Sequence, residues 1–329
     1  MGTIKKKNSI LFDLSSKLIL NCASFIMDKP IKIIYLAGWG RSGSTLLARI
    51  LGQVEGVAHF GELRTLWTDG FKPKSKCGCG KPTRECDVWT SILTEAFDDF
   101  DQIDLPSMVN LRRQSEPRTS ELLRLGLSRQ YRNIFLEKSK DYRQVLGKLY
   151  SGIQKVCTVD AIVDDSLHPG YAYTLAHTQN LEVYLVHLIR DVRGCAYSWT
   201  KRYKSGLGSY SLKNSILGWN LRNFSTEWIT RQSEMHYMRL RYEDLIANPE
   251  QEVRSILDFA EIKSDKLPFK SSNEVFLDIT HSIFGNDNRS KVGPVLLRSD
   301  QVWKEKMSRA DQSKASLISW PLLLRYGYY

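Results

Sequence analysis

Residues 31–51 read IKIIYLAGWGRSGSTLLARIL, and this stretch decides the fold. Ile31 to Leu36 is a β-branched, mostly apolar run that stops at Gly38-Trp39-Gly40, the pattern of a buried strand ended by a turn. From Ser44 onward the apolar residues Leu46, Leu47, Ile50 and Leu51 recur at helical spacing. A strand, a glycine turn and a helix in direct succession make an anion cradle. The glycines let the backbone curl, and loop N–H groups plus the helix N-terminus hold a phosphate or sulfate. Gly38 and Gly43 stand five apart and are followed by Ser44 and Thr45, which fits the nucleotide-binding loop pattern except that Ser44 stands where a lysine belongs. That lysine serves the β- and γ-phosphates beside magnesium, so its loss disfavours an ATP or GTP hydrolase. Arg41 supplies a basic group earlier in the loop, which suits one tetrahedral anion approached without a metal. An ordinary Gly/Ser-rich turn is the plainer reading, and the flanking strand, helix and arginine outweigh it.

Outward from this loop, Val57–Phe60, Thr158–Val163, Val183–Ile189 and Tyr237–Arg241 read as further short strands. Helical patterns cover Val192–Tyr203, Leu212–Arg231, Pro249–Ala260 and Glu305–Ser319, and most of Val88–Cys157, while Phe71–Asp87 reads as a loop. Short apolar strands alternating with helices predict an α/β fold: a three-layer αβα sandwich with a central, mostly parallel sheet. Ligands in such sheets bind at the carboxyl ends of the strands. The loops after Leu36, Phe60, Val163 and Ile189 are therefore expected to meet at one site, with a helical insert at about residues 71–153 capping it. The expected organisation is an N-terminal amphipathic helical segment, 1–28, followed by a single domain, 29–329.

The chain has 329 residues, with 47 Lys plus Arg against 36 Asp plus Glu, a formal charge of +11. Hydrophobic residues at 42% and charged residues at 25% exclude collagen-like and wholly disordered classes. No apolar run approaches the ~18 residues of a membrane-spanning helix. Basic residues are scattered, and beyond Lys5-Lys6-Lys7 there is no basic block of the kind a nucleic-acid arm needs. No nucleic-acid partner is expected. Asp13 and Lys17 interrupt the apolar stretch from Ile10 to Met27, which argues against a cleaved signal and for an amphipathic helix lying on the domain or a membrane surface. A cytoplasmic location is expected.

Here the residues reach a known family. Gly40-Arg-Ser-Gly-Ser-Thr-Leu-Leu47 resembles the 5′-phosphosulfate loop of sulfotransferases that use 3′-phosphoadenosine 5′-phosphosulfate (PAPS). The block from Val183 to Ser198 resembles the family's 3′-phosphate element, in which a strand ends in Arg190-Asp191 and Ser198 follows eight residues after the arginine. Arg241-Tyr242-Glu243-Asp244-Leu245 looks like the family's Tyr-Glu-Asp segment, whose tyrosine packs near the adenine. Gly285-Asn286 and Arg289 resemble a Gly-Asn-x-x-Arg stretch of the bacterial and carbohydrate-type branches, and Trp303 and Pro321–Tyr328 resemble their ending. The resemblance implies PAPS as co-substrate, adenosine 3′,5′-bisphosphate as product and no metal. It implies cofactor contacts at Arg41, Ser42, Gly43, Ser44, Thr45, Leu46, Arg190, Ser198, Tyr242 and Arg289. The chain departs from the branch pattern Asp-Ser-Ser-Lys at Asp164-Asp165-Ser166-Leu167, where Leu167 takes the lysine's place and His168 stands beside it.

In-line sulfuryl transfer to a hydroxyl or amine of a small-molecule or carbohydrate acceptor needs a base for the acceptor's proton and positive charge on the leaving phosphate. Arg41, the loop amides and the helix N-terminus suit the second task. For the base, Glu62 is the first candidate, His168 the second, and His59 and Asp165 are further candidates. His187, inside an apolar strand, reads as a satisfied core residue. Cys22, Cys157 and Cys195 read as buried thiols. Cys77, Cys79 and Cys86 share one loop, and with no fourth ligand at a recognised spacing they are expected to be free thiols. Two rivals remain in the sequence: a phosphate-loop kinase with Asp164 at a magnesium-binding strand end, and a nucleotide-binding module without catalysis.

Overall fold

The computed structural model describes residues 29–99, 103–201, 210–285 and 287–328, without the side chains of residues 287 and 288. The N-terminal segment 1–28 with Cys22, the end of the Val192–Tyr203 helix and Asn286 lie outside the described residues. Five strands, β1 (Ile31–Gly38), β2 (Val57–His59), β3 (Ala161–Leu167), β4 (Leu181–Ile189) and β5 (His236–Arg241), form one sheet in the order β2-β3-β1-β4-β5. Every neighbouring pair in it is parallel. β1 is buried at every position except Lys32, as a strand covered on both faces must be. Its side chains alternate: Ile33, Tyr35 and Ala37 enter one core, Ile34 and Leu36 the other.

The core around Ile34 is closed by α1 (Ser44–Leu51), which buries Leu47, Ile50 and Leu51 against the sheet. The core around Tyr35 is closed by the helical insert. Its members are α2 (Asp87–Phe97), α3 (Leu105–Ser115), α4 (Leu122–Leu127), α5 (Arg129–Lys138) and α6 (Lys140–Cys157), followed by α7 (Pro169–Ala176). Trp89 of α2 and Leu146, Leu149 and Tyr150 of α6 are fully buried in it. The insert thus builds one layer of the sandwich. Beyond β4, α8 (Val192–Thr200) and α9 (Leu212–Thr230) pack with the last helix of the chain in a third apolar cluster. After β5, α10 (Tyr242–Ala247) and α11 (Pro249–Phe259) return to the Ile34 side.

Three differences from the sequence reading affect the site. β3 begins at Ala161 and runs to Leu167, because Thr158 takes a left-handed φ of 50° closing α6 and the Asp160 N–H is held by Gly56 O at 2.8 Å. Asp164, Asp165 and Ser166 are therefore strand residues, and an irregularity in the pairing, Tyr35 with Asp164 but Ala37 with Leu167, fits an extra residue into β3 there. Such bulges re-aim side chains. A second, antiparallel sheet of β6 (Phe269–Ser271), β7 (Glu274–Leu277) and β8 (Gly293–Leu296) was not anticipated; strands of three and four residues carry too little alternation to be read. Glu305–Ser319 resolves into α12 (Val302–Lys306) and α13 (Arg309–Tyr326), the latter starting at a Ser308 cap and passing through Pro321 to Gly327. Among the described residues no helix is long and apolar enough to cross a membrane.

Candidate active site

β1 sits between β3 and β4, so its loop emerges where the connections diverge to the two sides of the sheet, the position at which parallel sheets bind ligands. The loop curls through left-handed backbone at Arg41 (φ 72°) and Gly43 (φ 93°). Gly43 is the N-cap of α1, and the first intrahelical bond is Leu47 N–H to Gly43 O, 3.1 Å. The N–H groups of Ser44, Thr45 and Leu46 precede that bond, so the helix does not use them. Ser42 is buried and its hydroxyl donates to Trp39 O at 2.7 Å, tightening the turn. Trp199 of α8 donates from Nε1 to Gly40 O at 3.0 Å, and a Cβ on Gly40 would lie 2.6 Å from the Trp199 ring. The Arg41 guanidinium stands 5.5 Å from the centroid of the same ring.

The second anion element meets the first. Arg190, at the end of β4 and nearly buried, donates from Nη1 to Arg41 O at 3.0 Å. Its other terminal nitrogen donates to Asp300 O at 3.0 Å and Asp300 Oδ2 at 3.1 Å. The guanidinium lies 4.7 Å from the Tyr242 ring centroid, and Tyr242 also packs against Gly43, where a Cβ would come within 2.7 Å of it. Asp191 does not pair with Arg190; it caps α8 through Arg193 N–H and binds the Arg193 side chain at 2.6 Å. Ser198 is buried on α8. Tyr328 donates its hydroxyl to Ile189 O at 3.1 Å and Glu243 Oε2 at 2.6 Å, fastening the end of α13 under β4.

On the other side of β1 lie the acid–base candidates. Glu62 follows Gly61 after β2 and opens a short 3₁₀ turn, Leu63–Thr65. Burial, then the negative charges of Asp165 and Asp164, push its carboxyl well above the usual carboxylate range. Asp165 is engaged with His59, Oδ1 to Nε2 at 3.1 Å, and both side chains are buried. Asp164 is fully buried and accepts from the Tyr150 hydroxyl at 2.6 Å and the Ser166 N–H at 2.9 Å; burial raises it to about 6. That position, facing the interior, cannot offer oxygens to a magnesium–nucleotide, which removes the main support for the kinase rival. His168 caps α7 and pairs through Nδ1 with Glu116 Oε1 at 2.8 Å. Burial brings it down to about 4, so the ring is neutral near pH 7. Glu116 is also held by Arg64 Nε at 2.7 Å.

No local pattern in the sequence singles out Glu116, which follows α3 in the insert, or Arg222 of α9. Arg222 Nη1 donates to Leu167 O at 3.2 Å, and its guanidinium lies 5.9 Å from the Trp39 ring centroid. A cation from a distant helix is therefore anchored on the backbone of Leu167. Burial lowers its ionisation to about 10, which leaves it charged at neutral pH. His187 is a core residue, as expected, bonded to Asn223 Oδ1 at 2.8 Å and the Tyr237 hydroxyl at 3.0 Å. Cys195 is buried beneath Arg41 and Arg190, and Cys157 is only half-buried. Arg289 donates to Ser282 O at 2.6 Å and Lys76 O at 2.8 Å, tying two loops together beside Gly285 and Thr45. The expectation of three cysteines lacking a fourth partner is corrected: His281 completes a cluster with Cys77, Cys79 and Cys86.

Residues 182–266, which carry Arg190, Ser198 and Tyr242, match the Sulfotransferase family. No curated protein sequence matches the chain significantly. Among solved structures, the sulfotransferase domain from the curacin biosynthetic pathway is 17% identical, with 89% of this chain and 97% of that one covered and a TM-score of 0.49. A sulfotransferase of Alicyclobacillus acidocaldarius is 14% identical over 74% of this chain and 86% of that one, TM-score 0.37. A sulfotransferase of Mycobacterium tuberculosis is 16% identical over 73% and 70%, TM-score 0.39. From β4 through α11, then, the chain is similar in sequence to the Sulfotransferase family, and its five main strands form a parallel sheet.

Proposed function

We propose that the protein is a PAPS-dependent sulfotransferase, with residues 29–329 as its catalytic domain and a small-molecule or carbohydrate hydroxyl or amine as acceptor. The contact that carries this reading is Arg190 Nη1 to Arg41 O, 3.0 Å, which joins the phosphate loop to an arginine of the sulfotransferase-family segment. In this reading the amides of residues 42–46 and Arg41 hold the 5′-phosphosulfate. Arg190 and Ser198 hold the 3′-phosphate, and Tyr242 borders the adenine. A planar guanidinium fork suits a phosphate better than a point charge would.

The reaction is an in-line displacement at sulfur. The acceptor oxygen or nitrogen forms the new S–O or S–N bond as the bond from sulfur to the bridging phosphate oxygen breaks, and adenosine 3′,5′-bisphosphate departs. Glu62 takes the acceptor's proton. Its raised affinity for a proton fits that task, since a base works best with a pKa near the operating pH. The negative charge that develops on the leaving phosphate is met by loop amides, Arg41 and the N-terminus of α1. Arg222, anchored on Leu167 O, supplies the cation on the acceptor side.

Binding and transfer are tested together. Adenosine 3′,5′-bisphosphate at a hundredfold excess over its dissociation constant stabilises the protein by ~2.7 kcal/mol without added metal, a rise readily seen in thermal melting. Incubation with PAPS and an acceptor panel yields a product heavier by one sulfonate group in the mass spectrum. ATP with magnesium giving the larger shift, or a folded protein showing no shift with the bisphosphate, overturns the reading.

A further inference from the structure

We propose that Cys77, Cys79, Cys86 and His281 form a structural zinc site, one Zn²⁺ held by three thiolates and the His281 Nδ1 nitrogen. All four ligand atoms lie within 4.8 Å of one another. Three of the six edges are 3.8 Å from Cys79 Sγ to Cys86 Sγ, 3.3 Å from Cys86 Sγ to His281 Nδ1 and 3.6 Å from Cys77 Sγ to His281 Nδ1. A tetrahedral zinc ion with bonds of ~2.3 Å to sulfur and ~2.0 Å to nitrogen requires edges of about 3.5–3.8 Å. The same separation is far too long for a disulfide, whose sulfurs lie ~2.05 Å apart.

The surrounding backbone is shaped for such an ion. Cys77-Gly-Cys79-Gly80 makes a tight turn, with Gly80 N–H bonded to Cys77 O at 2.9 Å and Gly80 at φ 90°. Gly78 lies against the His281 segment so closely that a Cβ there would be 2.1 Å from Thr280 O. Trp89 Nε1 fixes the other side of that segment by donating to His281 O at 2.7 Å. Three sulfurs and one imidazole nitrogen in a tetrahedron select zinc over calcium, magnesium or manganese, which prefer oxygen. With four protein ligands the site is closed, so its role is to hold structure.

What it holds is the chain beneath the acid–base candidates. The two sides of the site, residues 77–86 and 281, are separated in sequence by β3 to β7, and their union is continued by Gly78 N–H to Ser282 O at 2.8 Å. Ile283 N–H then bonds Phe60 O at 3.0 Å, one residue before Gly61-Glu62. Arg289, expected from the sequence to contact the cofactor, clamps the same two segments through Ser282 O and Lys76 O. Loading the site releases the protons of the three thiols to solvent and leaves one negative charge on the complex.

The test is metal content, independent of any sulfuryl transfer. Full-length protein purified without chelator is expected to retain about one zinc per chain after desalting, by inductively coupled plasma mass spectrometry. Cobalt exchanged into it is expected to give thiolate-to-cobalt charge-transfer bands with intense tetrahedral d–d bands. Cys86→Ser and His281→Ala lose the metal, and His281→Cys, a four-thiolate site, keeps it and its melting temperature. Folded wild-type protein that retains no zinc after equilibration with zinc overturns the proposal. So does a Cys79–Cys86 disulfide in freshly purified protein, or zinc retained in full by both Cys86→Ser and His281→Ala.

Discussion

Glu62 sits where a proton is hard to lose: burial and the neighbouring charges of Asp165 and Asp164 all favour its neutral form. A base must be ionised to act, so transfer should rise with pH through a midpoint above the ordinary carboxylate range. Glu62→Gln keeps the shape, should leave bisphosphate affinity unchanged and should lower turnover by ~10²–10⁴-fold. Near-normal turnover in that variant would move the base to His168, which is neutral at pH 7 and braced by Glu116. A second expectation concerns Asp300, whose carboxylate occupies a nitrogen of Arg190 at 3.1 Å. A 3′-phosphate must compete for that donor. A hydrogen bond to a charged group is worth ~1.5–3 kcal/mol, reduced here by the exposure of Asp300, so Asp300→Asn should tighten bisphosphate binding several-fold by calorimetry. Unchanged affinity would show that the aspartate does not compete. Arg41, Arg190 and Tyr242 could be picked out in the sequence because each sits in a fixed run beside a strand. Asp300, Glu116, Arg222 and His281 reach the site from far along the chain, and no local spacing announces them.

At the scale of elements, the strand–loop–helix unit was legible because its parts are adjacent and each obeys a simple period. β1 alternates and α1 repeats its apolar residues every three to four positions. The sequence reading starts β3 three residues early and ends it four residues short, because its polar end, Asp164-Asp165-Ser166, reads as a loop until Tyr150, His59 and Arg64 N–H are seen to satisfy it. The tightness of the β1 turn can be tested. Gly40→Ala places a Cβ 2.6 Å from Trp199 and disturbs the bond from its indole N–H, so a stability loss of ~1–3 kcal/mol and weaker bisphosphate binding are expected. Gly147→Ala in α6 is the contrast. Its nearest neighbours lie at 3.7 Å and 3.9 Å, ordinary contact, and the better helix former should stabilise by up to ~1 kcal/mol in denaturant unfolding. Equal effects of the two substitutions would contradict the packing described for the loop.

For the whole molecule, the two cores on opposite faces of the sheet enclose polar groups that set its response to acid. His187 is fully buried and held neutral, its titration lowered to about 4 by burial, whereas an unfolded histidine titrates near 6.5. Between those values the unfolded chain binds the proton and the folded one does not, so this residue favours folding at pH 7 and loses that contribution as pH falls from about 6.5 to 4. Asp164, raised to about 6, acts in the opposite sense over an overlapping range, so only a difference between variants isolates the histidine. His187→Gln should be less stable than wild type at pH 7, with the gap narrowing by roughly 3 kcal/mol toward pH 4. A pH-independent gap would mean that the ring takes up its proton equally in the folded and unfolded states. The layering itself was visible from alternating strands and helices. That the insert forms a layer was not, because helical periodicity names an apolar face without naming what it meets. The strand order has a consequence for how the protein is made. Lys32 pairs with Ala161 on one side and Glu182 on the other, so β1 emerges from the ribosome long before either neighbour. Until β3 and β4 are translated, the apolar run IKIIYLAG has no hydrogen-bonding partner in this sheet, and an unpaired apolar strand is an aggregation hazard. The phosphate loop, encoded near the start, is finished only when Asp300 and Tyr328 arrive to lock Arg190 and β4 in place.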